Sequence, residues 1–373
     1  MKKVTIGLAF DSTFDCDAGV QQYFKSLGRY LLKQGHSVKF LVPYSNGTGE
    51  FAGKILSLGN VFNPFFNTTS IPIGRYTSRS RIISALQKEK FNIIHMGVPV
   101  SPFSLGKLLQ TASCPVVATF MSHSQNKIHR AGMYFLSSIL MKSNRYIDAF
   151  TAPNAITKID ANAIIPGNYT IISHAVDLTP FTTRVSPIKK YQDGRFNLLF
   201  FGRLEERKGV HLLVECMPEI VSNHRDVRLI IAGDGPLRVE LEERTITLGI
   251  SDHIVFEGYI NEKDKASYFA TADLCVFPAL YGECFGIVLI EALASGKIPL
   301  AFANEGYNSV LENIPEVLVP AGNTEKLTAR ILELISDTAE RKRLEKECRE
   351  ESRRYSWETV GKQITKIYES ILD

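Results

Sequence analysis

The chain is expected to fold as two consecutive doubly wound α/β domains. Short apolar runs alternate with segments of helical periodicity along almost all of its 373 residues. That alternation is the pattern of parallel sheets covered by helices on both faces. It restarts once, after a weakly periodic stretch from Leu178 to Arg195 that holds Pro180, Pro187, Lys189-Lys190 and Asp193-Gly194. The length suits about two domains, each with room for its own core.

Val4–Phe10 reads as the first strand. The loop Asp11–Val20 follows, then a helix to about Gln34, stopped by Gly35-His36, and a strand at Ser37–Val42. This βαβ opening argues for a parallel sheet. Further strands are expected at Asn92–His95, Pro115–Phe120, Ala149–Ala152 and Thr170–Ile172, with helices near 78–89, 102–112, 127–145 and 154–162. These make a first domain over 1–180. A second domain, 181–355, takes strands Phe196–Phe201, Val227–Ala232, Ile254–Glu257, Leu274–Phe277 and Ile298–Phe302. Its helices fall near 209–222, 236–248, 263–271, 286–295, 323–335 and 338–353. The last helix, Ser356–Leu372 within 356–373, carries Val360, Ile364, Ile367 and Ile371 on one stripe. Two such domains imply a cleft, with ligands at the C-terminal ends of the strands.

Composition narrows the function. Apolar content of 45% and charged content of 22% are ordinary for a globular protein. The net charge of +4, from 43 basic and 39 acidic residues, is too mild to argue for a nucleic-acid partner. Six cysteines are scattered at positions 16, 114, 216, 275, 284 and 348 with no CxxC spacing. They form neither a disulfide framework nor a zinc site, which fits a reducing compartment. Met1-Lys-Lys runs straight into a strand without a signal-peptide core. No apolar run is long enough to span a bilayer. A cytoplasmic protein is expected.

The most informative stretch is Pro278–Gly296, Pro-Ala-Leu-Tyr-Gly-Glu-Cys-Phe-Gly-Ile-Val-Leu-Ile-Glu-Ala-Leu-Ala-Ser-Gly. It reads as strand end, glycine-containing loop and helix. A helix N-terminus offers unpaired N–H groups and the positive end of the dipole, and Gly286 would let an anion approach the backbone. Glu283 precedes the helix and Glu291 lies within it. Eight residues of helix span about 12 Å, more than the roughly 5–9.5 Å of a glycosidase carboxylate pair. The spacing suits two carboxylates accepting hydrogen bonds from hydroxyls on different parts of one long ligand. The plain alternative is a first-turn glutamate complementing the dipole and a second that is merely solvated.

Three other strand ends feed helices. Gly19 follows the first strand, where a backbone can approach a ligand; a simple turn glycine is the alternative. Phe201-Gly-Arg-Leu-Glu-Glu-Arg-Lys-Gly209 places Arg203 and Lys208 where a diphosphate could lie, since a guanidinium grips phosphate bidentately and an ammonium acts as a point charge. The alternative is loop cations paired with Glu205 and Glu206. Ala232-Gly-Asp-Gly-Pro236 is best read as turn chemistry before a helix.

Together these motifs resemble the family 4 glycosyltransferases of the GT-B fold. The resemblance covers nearly the whole chain and is most specific over 196–320, where GRLEERKG, IAGDGP, GECFGIVLIEALASG and VLVPAGN follow in order. It implies two Rossmann-like domains facing a central cleft, the last helix crossing back to the N-terminal one. It also implies an acceptor-binding first domain, a nucleotide-sugar-binding second domain, and retaining transfer without a metal or other cofactor. By the same resemblance Glu283 contacts the transferred sugar, and Phe285, Gly286 and Ile287 offer N–H groups, with Val288 beside them. Glu291 holds the ribose. Arg203 and Lys208 neutralise the leaving diphosphate. Gly19, Gly202 and Asp234 complete the donor contacts.

Within the family the chain is most similar to the phosphatidylinositol mannosyltransferases, through Ala18-Gly-Val-Gln21, Pro115-Val-Val-Ala-Thr-Phe120, Cys284–Glu291 and Trp357…Tyr368-Glu369. That implies GDP-mannose as donor, with a UDP-sugar as alternative, and a lipid or glycan acceptor near Asp15, Gln21, Asn67 and Thr69. It further implies docking of a basic helix, Arg75–Lys90 with Arg79, Arg81 and Lys88, on the anionic inner face of the plasma membrane. Ile82, Ile83 and Leu86 would assist as interfacial residues; a solvated face on a core helix is the alternative. The sequence departs from the family at Met121, where a sugar-contacting His is usual and His123 is the substitute. It departs also at His174-Ala-Val-Asp177, where the family has Asn-Gly-Val-Asp, and at Gly97-Val98, where close relatives carry His-Glu. A degenerate nucleotide-sugar-binding relative is therefore a second expectation. Oligomeric state is not legible.

Overall fold

The structure is a computed structural model describing residues 2–15, 19–62, 65–66, 69–70, 73–76, 78–98, 105–121, 145–182 and 185–373, with side chains of 62–77 left aside. The chain divides into two compact units, Met1–Ala175 with Trp357–Asp373, and Val176–Ser356.

The first unit contains, in chain order, Thr5–Ala9 (β1), Gly19–Lys33 (α1), Ser37–Val42 (β2), Ile55–Ser57 (β3), Gly59–Phe62 (β4), Phe65–Phe66 (β5), Thr69–Ser70 (β6) and Ile73–Tyr76 (β7). Arg79–Glu89 (α2), Ile93–Val98 (β8), Leu105–Leu109 (α3), Val116–Phe120 (β9), Ala149–Ala152 (β10), Ala155–Ile164 (α4) and Tyr169–Ile171 (β11) follow. A seven-stranded parallel sheet runs β11-β10-β9-β8-β1-β2-β3, and the chain reverses direction across it between β1 and β8. Alternate residues of β8 serve opposite faces. Ile94, Met96 and Val98 pack with Leu105 and Leu108, while Ile93 packs with Phe24 and Phe40.

Two features depart from expectation. Gly59–Phe62 pairs antiparallel with Ile73–Tyr76, so Arg75 lies in a strand and not in the basic helix. That helix starts at Arg79 because Ser78 caps it, its hydroxyl accepting from the Arg81 N–H. Ile82 and Leu86 are buried in the core and only Ile83 of the expected apolar trio is exposed. The helix expected near 127–145 lies almost wholly outside the described residues, and so do His123 and Asn67.

The terminal helix, here Trp357–Leu372, belongs to this first unit. Gly361 sits against the Tyr30 ring, where an added Cβ would stand 2.4 Å from the ring carbon Cζ. The Tyr368 hydroxyl meets His95 Nδ1 at 2.6 Å, His95 Nε2 meets Thr119 Oγ1 at 2.6 Å, and Thr119 meets Thr151 at 2.6 Å. This buried chain of polar groups stitches the helix to β8, β9 and β10. Burial holds His95 near pKa 3 and His174, edge-on to Tyr23, near 4. Both values lie below the ordinary 6.5, so under about pH 6.5 the unfolded chain takes up protons that the folded chain refuses. Stability is therefore expected to fall as pH drops from 6.5 towards 4. Urea midpoints measured across that range check it, and a His95→Gln, His174→Gln variant should flatten the slope.

The second unit runs Thr179–Thr182 (α5), Phe196–Phe201 (β12), Val210–Asn223 (α6), Val227–Ala232 (β13), Arg238–Thr247 (α7), Ile254–Gly258 (β14), Glu262–Thr271 (α8) and Leu274–Phe277 (β15). Ile287–Ala294 (α9), Pro299–Ala303 (β16), Glu305–Leu311 (α10), Leu318–Pro320 (β17), Thr324–Ser336 (α11) and Thr338–Ser352 (α12) complete it; the terminal helix is α13. Its parallel sheet is ordered β14-β13-β12-β15-β16-β17. Strands β13 and β15 are buried along their whole length, which is why they read as unbroken apolar runs. The chain builds outward from β12 to β14, then crosses to β15 on the other side. The crossing point lies between β12 and β15, where open α/β sheets leave a crevice for ligands.

Candidate active site

Two loops flank that crossing point, 202–209 after β12 and 278–286 after β15. They are joined directly. The Leu280 N–H donates to the Arg207 carbonyl at 2.8 Å. Gly209 closes a single helical turn, Glu206–Lys208, in the left-handed region at φ +68, and a Cβ there would stand 1.9 Å from the Pro278 carbonyl oxygen. The second loop ends at Gly286, which caps α9 at φ +98; a Cβ there would press the buried Tyr307 ring at 2.8 Å. Phe285 anchors the loop by its buried ring, edge-on to Tyr355. Asn304 fixes α10 alongside, accepting from the Tyr307 N–H and donating to the Ala279 carbonyl. Ile287 and Val288 open α9, whose first N–H groups have no carbonyl within the helix to receive them.

Cations converge on this corner. Lys208 Nζ lies 2.6 Å and Arg207 2.8 Å from the same oxygen, Oε1, of Glu283. Glu283 Oε2 takes part in neither bond. Arg207 also bonds Glu205 at 2.9 Å. Burial opposes the Arg207 charge, and Glu283 and Glu205 more than offset it, so its pKa is raised. Arg203 does not reach Glu283. It bonds Glu205 at 2.9 Å with its side chain 58% exposed, at the outer end of the run Arg203, Glu205, Arg207, Glu283, Lys208. Sequence reading named Arg203 and passed over Arg207; both lie in the loop 202–209, and of the two Arg207 is the one that bonds Glu283.

Glu291 lies deeper, 3% exposed, with Oε1 2.5 Å from Lys265 Nζ. Burial pushes its carboxyl up and the Lys265 ammonium pulls against that. Gly202 and Asp234 lie in touching turns: a Cβ on Gly233 would meet the Gly202 carbonyl oxygen at 1.8 Å, and Asp234 accepts from the Gly235 N–H within its own turn. A separate cavity of about 310 Å³, lined in part by Phe181, Lys297, Glu345 and Arg349, lies at the opposite, C-terminal end of α9. The cations and free N–H groups do not meet there.

In the first unit, Gly19 opens α1, and no described atom lies within 4 Å of where its Cβ would stand. Among the described residues, nothing around it demands a glycine. Gln21 is buried and donates to the Thr13 carbonyl at 3.2 Å. Asp15 accepts from the Ser45 hydroxyl and the Asn46 N–H, each at 2.8 Å. Thr69 lies in β6. Met121 packs against the apolar cluster around Phe24, close to Gly97.

The corner can therefore receive an anion between an ammonium and a helix N-terminus, with two carboxylates placed to accept hydroxyl donors. Residues 18–180 match the family model for Glycosyltransferase Family 4, and residues 183–351 that for Glycosyl transferases group 1. A phosphatidyl-myo-inositol mannosyltransferase of Mycolicibacterium smegmatis is 27% identical over 370 residues, 98% of this chain and 94% of that protein. A glycosyltransferase from Rickettsia africae superposes with a TM-score of 0.79 at 18% identity over 100% of both chains. Anabaena HepE, solved in complex with UDP-glucose, gives 0.75 at 18% identity over 98% of this chain and 100% of its own. The two Rossmann-like domains are those of the GT-B fold.

Proposed function

We propose a specific reaction for this chain, which belongs to the family 4, group 1 glycosyltransferases: transfer of a hexose, mannose first, from a nucleotide sugar to a phosphatidylinositol-like lipid headgroup. The observation that carries the donor half is the pairing of Lys208 and Arg207 on one oxygen of Glu283 beside the N-terminus of α9. When a diphosphate enters, Lys208 turns to it while Arg207 stays paired with Glu283. Glu283 then accepts from a sugar hydroxyl through Oε2. Glu291 accepts from the ribose. As the sugar–phosphate bond breaks, negative charge gathers on the leaving oxygen, where Lys208 and the α9 N–H groups stabilise it, with Arg203 turning in from the outer end of the run to join them. The departing phosphate takes the acceptor's proton on the same face, giving retention without a covalent enzyme intermediate.

The acceptor half rests on the similarity to the mannosyltransferase and on exposed Arg79, Arg81, Lys88 and Lys90 around α2. With Ile82 and Leu86 committed to the core, attraction to an anionic surface would be mainly electrostatic, about 1 kcal/mol per basic residue close to the lipid. No helix among the described residues is long and apolar enough to cross a membrane. Asp15, Gln21, Asn67 and Thr69 are the proposed acceptor contacts, and His123 is the proposed substitute for the sugar-contacting His.

A thermal-shift panel of GDP-, UDP- and ADP-sugars tests the donor. The right one, at 100 times its dissociation constant, stabilises by about 2.7 kcal/mol. That donor, labelled in its sugar, is then incubated with phosphatidylinositol in anionic liposomes. Label in the lipid phase is the expected result; a shift with no label in lipid removes the acceptor assignment. A second reading rests on Met121, which packs against an apolar cluster and stands in sequence where the family usually has a sugar-contacting His. On that reading the protein binds its donor and transfers it to no acceptor.

A further inference from the structure

We infer that Lys265 is a positioning residue for Glu291. It claims one carboxylate oxygen and leaves the other, charged and unpartnered, to accept from the two neighbouring hydroxyls of a ribose. The inference rests on the donor reading above and deepens it.

Three observations support it. Glu291 is 3% exposed, and its Oε2 is sealed from solvent with no hydrogen-bond partner among the described residues. A buried carboxylate oxygen left unbonded is costly, and its neighbourhood normally satisfies it. Second, Lys265 is held from three sides. Its Nζ is 2.5 Å from Glu291 Oε1, 3.7 Å from Glu262, and 5.3 Å from the centre of the Phe201 ring at the end of β12. Burial opposes the Lys265 charge, and Glu291 and Glu262 more than offset it. Third, lysine differs here from arginine. An ammonium is a point charge that occupies one oxygen, whereas a guanidinium fork takes both. Only the ammonium leaves Oε2 for a ligand. Loss of Lys265 would leave Glu291 buried without a counter-ion, driving it towards its neutral form and removing its strength as a double acceptor.

The test uses the full chain and calorimetry with whichever of GDP and UDP binds wild type more tightly, together with its 2′-deoxy and 3′-deoxy analogues. Wild type is expected to lose about tenfold in affinity when either hydroxyl is removed. Lys265→Met should bind the parent nucleotide about tenfold more weakly and show almost no discrimination between the three ligands. Lys265→Arg, which retains the ion pair and the unfolding midpoint, should also lose the discrimination. It decides the matter should the methionine variant fail to fold. Equal weakening of all three ligands, with the ratios of wild type intact, overturns the inference and reduces Lys265 to a structural ion pair. Intact ratios with an altered preference between GDP and UDP overturn it in favour of a base contact. A wild type that binds neither nucleotide overturns the donor reading and this inference together.

Discussion

Lys208→Ala is expected to lower kcat/KM for sugar transfer by about 10²–10³-fold, the range seen when one preorganised charge-stabilising donor is removed. The loss should fall mainly on kcat, because charge on the leaving diphosphate grows towards the transition state. Stability should change little. Glu283 would retain Arg207 at 2.8 Å as counter-ion, so no buried carboxylate is abandoned. Steady-state kinetics and urea unfolding on the same preparation separate the two effects. A variant within threefold of wild type would show that Lys208 serves only to hold Glu283.

The second large effect concerns the joint between the two loops. Gly209→Ala must hold a side chain at φ +68 and place a Cβ 1.9 Å from the Pro278 carbonyl oxygen. The obstacle is backbone and cannot rotate away. Left-handed geometry costs about 1–2 kcal/mol and overpacking about 1–3 more, so a loss of about 2–5 kcal/mol is expected in urea unfolding. Any folded fraction should transfer poorly, since relief of the clash separates Lys208 from Glu283. Gly19→Ala is the contrast: with no described atom within 4 Å, it should leave stability unchanged. A Gly209→Ala protein as stable as wild type would mean that the two loops are not locked together.

The doubly wound architecture was legible because strands buried on both faces are continuous apolar runs, as in Val227–Ala232 and Leu274–Phe277. The small hairpin elements between Gly59 and Tyr76 were not. They are two to four residues long and rich in Gly, Asn, Thr and Pro, composition that reads as loop. Strand β17 has three residues and α10 begins Glu-Gly-Tyr-Asn, so neither shows a period. In the site, Glu283, Gly286 and Glu291 were legible because strand, loop and helix follow one another in a single stretch. Arg207 was hidden among three cations of one loop. Lys265 was hidden differently: Glu262-Lys-Asp-Lys265 reads as the solvated start of a helix. Its partner lies 26 residues away in sequence, and only the sheet crossover brings them together.

The central claim is that the corner formed by Lys208, Glu283 and the N-terminus of α9 receives a diphosphate. Calorimetric titration of GDP and UDP against guanosine and uridine, in wild type and in Lys208→Ala, tests it most directly. The account predicts that wild type binds at least one nucleotide about 100-fold or more tightly than its nucleoside, the worth of strong charge-assisted bonds, and that most of this advantage vanishes in the variant. Equal affinity for nucleotide and nucleoside, or an advantage untouched by the substitution, would contradict it.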